Sequence, residues 1–410
     1  MVKKINIPWA AWREPKYLEL KFPDEWDVSL LRMDGADASE ITTSDMKKAI
    51  LNPIGTPRLS ELAKGKKKVV IVVDDMTRTT QASKILPLVF EELKSANISE
   101  DNITILLAIG AHRPMNKHDC ILKLGEEIAN KYNIENHHPY ENLTYLGESK
   151  IGTPIYVNNS YHNSDLRIAI GGVIPHPLAG FGGGAKIVLP GVCGIKTLES
   201  NHSAGMRGIG AGIGRMTGIR QDIEDIADKV GLDFSINAVM NEIGETTQIF
   251  AGHYRDAHRK TMEFVTKAYN TKVTLDNQVC FLNAYPEDSE LNQAVKCINF
   301  LMTAPNNILD RKGSVVLMSS SYEGKGYHSL SGETGARLYR NYGDQVVWKA
   351  FIKKRTAFFY SPNISKADLN HYFPKSVILV KDWNQLLEEL EKIYGKNPKA
   401  CIIPTSIQLT

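Results

Sequence analysis

The stretch GGVIPHPLAGFGGGAKIVLPGVCGIKTLESNH, residues 171–202, carries the most informative pattern in this sequence. It begins at the last two residues of the strand-like run LRIAIGG and contains His176, a glycine run that ends at Lys186, and His202. One histidine could be a satisfied core residue, and a glycine-rich turn could be purely structural. The combination instead predicts a site with a backbone loop for a phosphorylated cofactor, an amine, and two imidazoles for proton or metal chemistry.

The glycine run predicts an anion-binding loop. Gly182, Gly183 and Gly184 allow backbone amides to approach a ligand closely, and successive amides in a turn form an anion-binding concavity. The phosphate loop of nucleotide hydrolases ends in Gly-Lys-Ser/Thr, whose hydroxyl binds magnesium. Here Ala185 precedes Lys186 and isoleucine follows it, so that hydroxyl is missing. The loop therefore does not predict nucleoside-triphosphate hydrolysis.

Two further strand-like runs end in polar residues. KKKVVIVVDDMTRTT leads to Asp75 and Arg78, and ITILLAIGAHRP leads to His112. The pattern predicts three strands, at 67–74, 103–109 and 166–173. The helical segment between the first two predicts a βαβ crossover and a parallel sheet. Because ligands bind outside the carboxyl ends of such strands, we expect Asp75, Arg78, His112 and His176 at one edge.

Five motifs together carry a family resemblance: DDMTR, GAHRP, PHPLAGFGGGAKIVLPG, SNH and NQAVK. In order and spacing they resemble the lactate racemase family of nickel-dependent 2-hydroxyacid racemases, from about residue 50 nearly to the C-terminus. The resemblance implies a nickel-pincer nucleotide, the pyridinium-3-thioamide-5-thiocarboxylic acid mononucleotide that binds nickel through two sulfurs and a ring carbon. It implies that Lys186 tethers this cofactor, that His202 ligates nickel and that Asp75 contacts the cofactor. Separate biosynthesis enzymes would make and load it.

The resemblance also implies a reaction, the racemisation or epimerisation of a 2-hydroxyacid at C2. His112 and His176 would be the paired acid/base residues, while Arg78, Gln293 and Lys296 would hold the substrate. One histidine takes the hydroxyl proton as the α-hydride passes to the cofactor, leaving a 2-oxoacid. Hydride then returns to the other face and the opposite histidine returns a proton. Hydride transfer avoids a carbanion beside a carboxylate, and two enantiomers require two opposed bases.

The sequence departs from its relatives near the proposed substrate residues. Lactate racemases have a tyrosine immediately before the Gln-x-x-Lys element, where this chain has Asn292. An amide in place of an aromatic ring predicts a roomier, more polar pocket, suited to a longer acid such as a sugar acid or malate. The aromatic residue that covers the cofactor in relatives is assigned to Trp348, in DQVVWKAF.

Two other function classes remain open from the residues. A zinc or nickel hydrolase could use His112, His176 and His202, with Lys186 incidental. A non-catalytic carboxylate-binding homologue would have kept the fold and lost the activity. The remaining histidines, His258 among them, are assigned to polar or helical surface positions.

Length and composition bound the class of protein. A chain of 410 residues predicts two domains. We expect two α/β domains with mainly parallel sheets and an active-site cleft between them. The N-terminal domain, 1–272, would carry the cofactor tether, the nickel ligand and the catalytic histidines, and the C-terminal domain, 273–410, the substrate-binding residues.

Charge and cysteine usage predict the environment of the protein. A net charge of +3 and short basic runs do not favour nucleic-acid binding. No apolar window approaches the ~18 residues of a membrane span. The five cysteines are scattered and form no Cys-x-x-Cys pair. These features predict a cytoplasmic protein, and the family resemblance implies a small-molecule 2-hydroxyacid substrate.

Overall fold

The computed structural model describes residues 2–330 and 355–410. Its strands are β1 Val2–Pro8, β2 Tyr17–Pro23, β3 Asp27–Leu30, β4 Val69–Asp74, β5 Ile103–Ala108, β6 Asn133–Asn136, β7 Leu143–Glu148, β8 Pro154–Asn158, β9 Leu166–Gly172, β10 Pro175–His176, β11 Gly180–Phe181, β12 Phe234–Met240, β13 Thr246–Gly252, β14 Asn277–Asn283, β15 Leu309–Met318, β16 Ala357–Tyr360, β17 Ile378–Val380 and β18 Lys399–Ile403. Its α-helices are α1 Thr43–Leu51, α2 Leu59–Leu62, α3 Ala82–Ser95, α4 Lys117–Leu124, α5 Glu126–Lys131, α6 Asn159–His162, α7 Ile195–Ala204, α8 Gly218–Val230, α9 Tyr254–Ala268, α10 Leu291–Ala294, α11 Asn299–Thr303, α12 Lys366–Tyr372 and α13 Trp383–Tyr394.

The chain forms two compact units. One, here called the central unit, is Asp37–Lys267. The other, here called the flanking unit because its segments flank the first in the sequence, comprises the described residues of Met1–Ala36 and Ala268–Thr410. The sequence analysis expected a single boundary near 272 and placed residues 1–36 in the first domain. The observed division differs, since residues 1–36 belong with the C-terminal part.

Long-range contacts explain why the N-terminal residues join the flanking unit. Strand β3 pairs in parallel with β18 at the edge of the sheet. Trp26, which is fully buried, packs against Phe22 with ring centroids 5.6 Å apart. Its indole nitrogen donates a hydrogen bond of 3.1 Å to Glu391 on α13. Contacts between residues so distant in sequence leave no local pattern.

The central unit contains a six-stranded sheet in the order β13-β12-β9-β4-β5-β6. Only β13 is antiparallel to its neighbour; the other pairs are parallel. Strand β4, VVIVVD, is buried at every position, as expected for a β-branched run covered on both faces of a parallel sheet. The three predicted strands are observed as β4, β5 and β9, and they are neighbours in the sheet. Their carboxyl ends therefore lie side by side, as predicted.

The flanking unit contains a second six-stranded sheet, in the order β17-β16-β15-β14-β18-β3. All strand pairs of this six-stranded sheet are parallel. The predicted α/β class with mainly parallel sheets is thus confirmed. Within the described part of the chain, no helix is both long and apolar enough to cross a membrane.

Candidate active site

The turn after β4 holds a carboxylate–imidazole pair. Asp75 Oδ2 lies 2.6 Å from His112 Nδ1, and Asp75 Oδ1 accepts hydrogen bonds from the amide (3.0 Å) and hydroxyl (2.6 Å) of Thr77. Burial raises the pKa of Asp75, but the charge and hydrogen bond of His112 outweigh it, so the pKa is lowered overall. Because Asp75 is ionised, it accepts a hydrogen bond from the Nδ1–H group of His112. A neutral His112 then carries its lone pair on Nε2.

His176 lies in a tight hairpin formed by β10 and β11, where it pairs with Gly180. Its Nδ1 accepts hydrogen bonds from the amides of Leu178 (3.2 Å) and Ala179 (3.1 Å). An imidazole that accepts at Nδ1 carries its proton on Nε2. His112 and His176 are therefore held in opposite tautomers, one with a lone pair at Nε2 and the other with a proton there.

Two buried side chains, Arg220 of α8 and His258 of α9, donate hydrogen bonds to the backbone carbonyls of the glycine loop, residues 180–184. We call this pair the clamp. Arg220 donates hydrogen bonds to the carbonyls of Phe181 (3.3 Å) and Gly183 (3.1 Å). His258 Nε2 donates to the carbonyl of Gly182 at 2.7 Å, and Arg220 Nη2 lies 3.0 Å from His258 Nδ1. Burial, and then the charge of Arg220, lower the pKa of His258 well below its usual value, so His258 is neutral.

Sequence reasoning missed both residues of this clamp and placed His258 on the surface, which is wrong: it is fully buried. A signal was available. The buried face of α9 consists of Tyr254, Ala257, His258, Thr261 and Val265, a helical spacing that includes the histidine. Arg220, which is 1 % exposed, likewise lies at helical spacing from Ile223 and Ala227 on the buried face of α8.

The amides of the glycine loop are partly used inside the unit. Gly182 donates to the carbonyl of Ile174 at 2.7 Å, and Gly184 donates to the side-chain oxygen of Asn237 at 2.8 Å. These two amides are thus committed to the fold, whereas the sequence analysis expected them to face a phosphate. The lack of room for a side chain is a stronger reason for glycine in this loop. A Cβ at Gly183, whose φ is +70°, would lie 2.4 Å from a valine methyl group.

Lys186 lies in the short 3-10 turn that follows the glycine loop. It is half-buried, although the residues from Phe181 to Ala185 before it are buried. The next residue, Ile187, packs against the end of β9, where a Cβ on Gly171 would lie 3.0 Å from its Cδ1. Lys186 therefore lies at the sheet edge that carries the polar strand ends.

His202 occupies the last turn of α7. Its Nδ1 donates to the carbonyl of Leu198 at 2.8 Å, which leaves the lone pair on Nε2. Metal-ligating histidines are oriented by a backbone carbonyl in this way. The preceding Asn201 donates to Asp222 at 2.7 Å and ties α7 to α8.

The segment after His202 packs against the His176 hairpin. The amide of Gly212 donates to the carbonyl of Pro177, and the amide of Gly214 donates to the carbonyl of Gly180, both at 2.8 Å. The elements that carry His176, Lys186 and His202 are therefore joined through backbone contacts within the central unit.

Arg78 is the remaining predicted residue of the central unit. It is half-buried, and its Nη1 donates to the carbonyl (3.0 Å) and hydroxyl (3.1 Å) of Thr77. The guanidinium is thereby held next to the turn that carries Asp75.

The flanking unit carries the other predicted substrate residues, on α10 and the turn after it. Lys296 lies 2.7 Å from Glu287 and also donates to the side chain of Gln293. Asn292 is 6 % exposed, yet neither its side-chain nitrogen nor its oxygen has a hydrogen-bond partner in the described part of the chain. Its backbone amide donates to the carbonyl of Lys325 at 3.3 Å. Trp348 lies outside the described residues.

The described residues contain no group of three His, Cys, Asp or Glu side chains arranged to hold a metal ion. A zinc hydrolase site built by side chains needs three protein ligands. The set His112, His176 and His202 does not form such a group, so this geometry does not favour the hydrolase alternative.

Comparison with known proteins places this chain in a family. Residues 14–214 match the model of the lactate racemase N-terminal domain. The chain is 29% identical over 429 residues to the lactate racemase of Thermoanaerobacterium thermosaccharolyticum, covering 99% of this chain and 98% of that protein. It is 31% identical over 296 residues to the lactate racemase of Lactiplantibacillus plantarum, covering 70% of this chain and 69% of that one. The chain belongs to the lactate racemase family.

Family membership confirms the predicted enzyme class, an isomerase of the racemase type. Solved structures agree on the fold. The lactate racemase apoprotein from Thermoanaerobacterium thermosaccharolyticum superposes with a TM-score of 0.77 at 24% identity, covering 100% of this chain and 99% of that one. A protein from Thermotoga maritima superposes with a TM-score of 0.66 at 19% identity, covering 92% of this chain and 99% of that one.

The clamp predicts a pH-dependent stability. His258 is neutral in the folded protein but binds a proton when unfolded at a pH below about 6.5, so the free energy of unfolding falls as the pH falls. Between pH 7.5 and 5.5 this loss amounts to about 1.4 kcal/mol. In His258→Gln, whose amide can still donate to the Gly182 carbonyl, the loss should be smaller by about that amount in denaturant unfolding.

An exposed histidine provides the control for this experiment. His118→Gln should keep the pH dependence of the wild-type protein, because His118 lies on the surface. The same pH dependence in His258→Gln as in the wild type would contradict a neutral, buried His258.

Proposed function

We propose that this protein inverts the C2 centre of a 2-hydroxyacid by hydride transfer to and from a nickel-pincer nucleotide tethered to Lys186. The observation that carries the proposal is the Asp75–His112 pair, in which the hydrogen bond at Nδ1 leaves a neutral His112 with its lone pair on Nε2, where it can take a hydroxyl proton. Racemisation needs one group that takes the hydroxyl proton and another that gives a proton back.

The residues present fit the cofactor that the family resemblance implies. Lys186 offers a half-buried amine after a close-packed glycine loop. His202 offers an Nε2 lone pair oriented by a backbone carbonyl, a suitable donor for nickel. When bound, the nickel-pincer nucleotide supplies a centre that accepts a hydride and returns it. Separate biosynthesis enzymes are proposed to make it and load the metal.

The protein's own residues move the protons. His112 accepts the hydroxyl proton of one enantiomer at Nε2, and the carboxylate of Asp75 stabilises the imidazolium through the 2.6 Å hydrogen bond. His176 is proposed to donate from Nε2 to the carbonyl oxygen of the 2-oxoacid when the opposite enantiomer forms. It does so as an imidazolium, which carries a second proton at Nδ1 in place of the two amide hydrogen bonds and keeps that proton after the transfer. Each histidine then exchanges its proton with solvent before the next turnover, and the reverse reaction uses the opposite protonation states.

Arg78 is proposed to bind the substrate carboxylate, since a guanidinium matches it with two parallel hydrogen bonds. Gln293 and Lys296 are proposed as substrate contacts of the flanking unit. The ammonium of Lys296 lies 2.7 Å from Glu287, and this ion pair orients it.

The proposed substrate is longer or more polar than lactate, such as a sugar acid or malate. The support is Asn292, a buried amide whose donor and acceptor are both unpartnered in the described part of the chain. An unpaired buried polar group costs about 1–3 kcal/mol. A substrate hydroxyl or second carboxylate would remove that cost, whereas the methyl group of lactate would not.

The tether is tested by mass. The protein co-expressed with the cofactor-biosynthesis enzymes should carry a covalent mass increment on Lys186 and absorb at long wavelength. Lys186→Ala should fold without the increment and be inactive, while His202→Ala should keep the increment and lose nickel. Full activity with an unmodified Lys186 would contradict the tether, and stoichiometric nickel in His202→Ala would contradict the ligand assignment.

The two-base scheme is tested by partial reactions. His112→Ala and His176→Ala should each abolish interconversion of the isomers, because each removes one of the two proton transfers. One enantiomer should still be oxidised to bound 2-oxoacid in each variant, visible as a spectral change. Racemisation near the wild-type rate in either variant would rule the scheme out, and hydrolysis of an ester or amide substrate would favour a hydrolase.

Specificity is tested at Asn292. Asn292→Tyr should shift the preference toward small acids such as lactate by roughly 1–3 kcal/mol, because the ring fills space and the amide is lost. Asn292→Leu is the matched control: it removes the amide without adding a ring, so it should weaken polar substrates without improving lactate. An unchanged ranking of substrates in kcat/KM for both variants would show that Asn292 does not contact the substrate.

A further inference from the structure

A fully buried lysine lies beneath the turn that carries Asp75 and Arg78. The side chain of Lys123, on α4, has no solvent exposure. Its ammonium lies 2.7 Å from Asp74 Oδ1 and donates to the carbonyls of Asp75 and Arg78, both at 2.9 Å. Two of these contacts are hydrogen bonds to backbone carbonyls, and the third is an ion pair with Asp74.

Asp74 extends this contact to the neighbouring strand. Its other oxygen, Oδ2, accepts hydrogen bonds from the amide of Gly172 at the end of β9 (2.8 Å) and from the hydroxyl of Thr80 (2.7 Å). Strand β9 leads directly into the hairpin that carries His176. One buried ion pair therefore connects both ends of the turn 74–80 to the strand that precedes the second histidine.

The position of these contacts argues against a purely structural role. A buried ion pair is on its own weak evidence for stability, because desolvation offsets the attraction. The two carbonyls to which Lys123 donates belong to the residue that pairs with His112 and to the residue proposed to bind the carboxylate. A displacement of either would change the orientation of a reacting group.

We propose that Lys123 is a positioning residue of this site: its buried ammonium, paired with Asp74, fixes Asp75 against His112 and Arg78 toward the substrate. The catalytic part of this inference rests on the proposed function. Lys123 itself touches neither substrate nor cofactor.

A double-mutant cycle tests the inference in the holoenzyme. Lys123→Met should lower kcat/KM by about 100-fold, the effect of a displacement of about 1 Å at a reacting group. When Asp75 is already replaced by asparagine, Lys123→Met should lower kcat/KM by a factor at least about tenfold smaller, because the group that Lys123 positions is already lost. Equal effects in both backgrounds would overturn the proposal.

A spectroscopic readout tests the inference without the cofactor. The proton shared by His112 Nδ1 and Asp75 should give a downfield proton resonance, assigned by its loss in Asp75→Asn. In Lys123→Met this resonance should shift or disappear. An unchanged resonance would overturn the proposal whether or not the holoenzyme racemises any acid, so a failure of the proposed function is recognised separately, by the absence of turnover in the wild-type protein.

Two further variants separate positioning from folding. Arg58→Met removes the ion pair to Glu92 (2.7 Å) in the same unit; it should lower the melting temperature but leave kcat/KM and the resonance unchanged. Lys123→Met combined with Asp74→Asn removes the buried charge without leaving an unpaired carboxylate, so it serves if Lys123→Met does not fold. This double variant should also lose the resonance, and its kcat/KM should be about 100-fold below that of the wild-type protein. A resonance and a rate like those of the wild type would overturn the proposal.

Discussion

The site depends on how the buried glycine loop satisfies its backbone carbonyls. The loop crosses the sheet edge inside the protein, where water is excluded, and an unpaired carbonyl there costs about 1–3 kcal/mol. Arg220 and His258 supply the donors for three consecutive carbonyls. Because the carbonyls turn toward this clamp, the turn that follows presents Lys186 at the strand ends.

The clamp also sets the protonation of its own members. Burial lowers the pKa of Arg220 to about 10, with Glu224 opposing the shift, so the guanidinium remains charged at neutral pH. That charge, together with burial, keeps His258 neutral. A neutral His258 can donate from Nε2 to the loop and accept at Nδ1 from Arg220, whereas a protonated one would repel it. The contact therefore requires one charged and one neutral partner.

Sequence patterns predicted the parts of this architecture that are local. Strands β4, β5 and β9 are mostly apolar runs that contain valine or isoleucine, and the polar residues that follow them marked Asp75, His112 and His176. The residues that hold those ends in place come from elsewhere in the chain, so no motif pointed to them. Lys123 is an example: it lies in the apolar run CILKL of a helix, and only the fold brings it beneath Asp75. The grouping of residues 1–36 with the C-terminal part has the same cause.

The two proposed bases are chemically unequal, although the two enantiomers of a substrate with one stereocentre have equal free energies. Nδ1 of His112 lies against a carboxylate, whereas Nδ1 of His176 accepts hydrogen bonds from two backbone amides. The equilibrium between enantiomers cannot reflect this difference, so it must appear in the rates at which each is bound and oxidised. For a substrate with a second stereocentre the products are epimers with unequal free energies. Within the part of the chain that the structure describes, the side-chain amide of Asn292 has no hydrogen-bond partner, which is the support for proposing such a substrate. An asymmetric pair of bases would then match an asymmetric reaction.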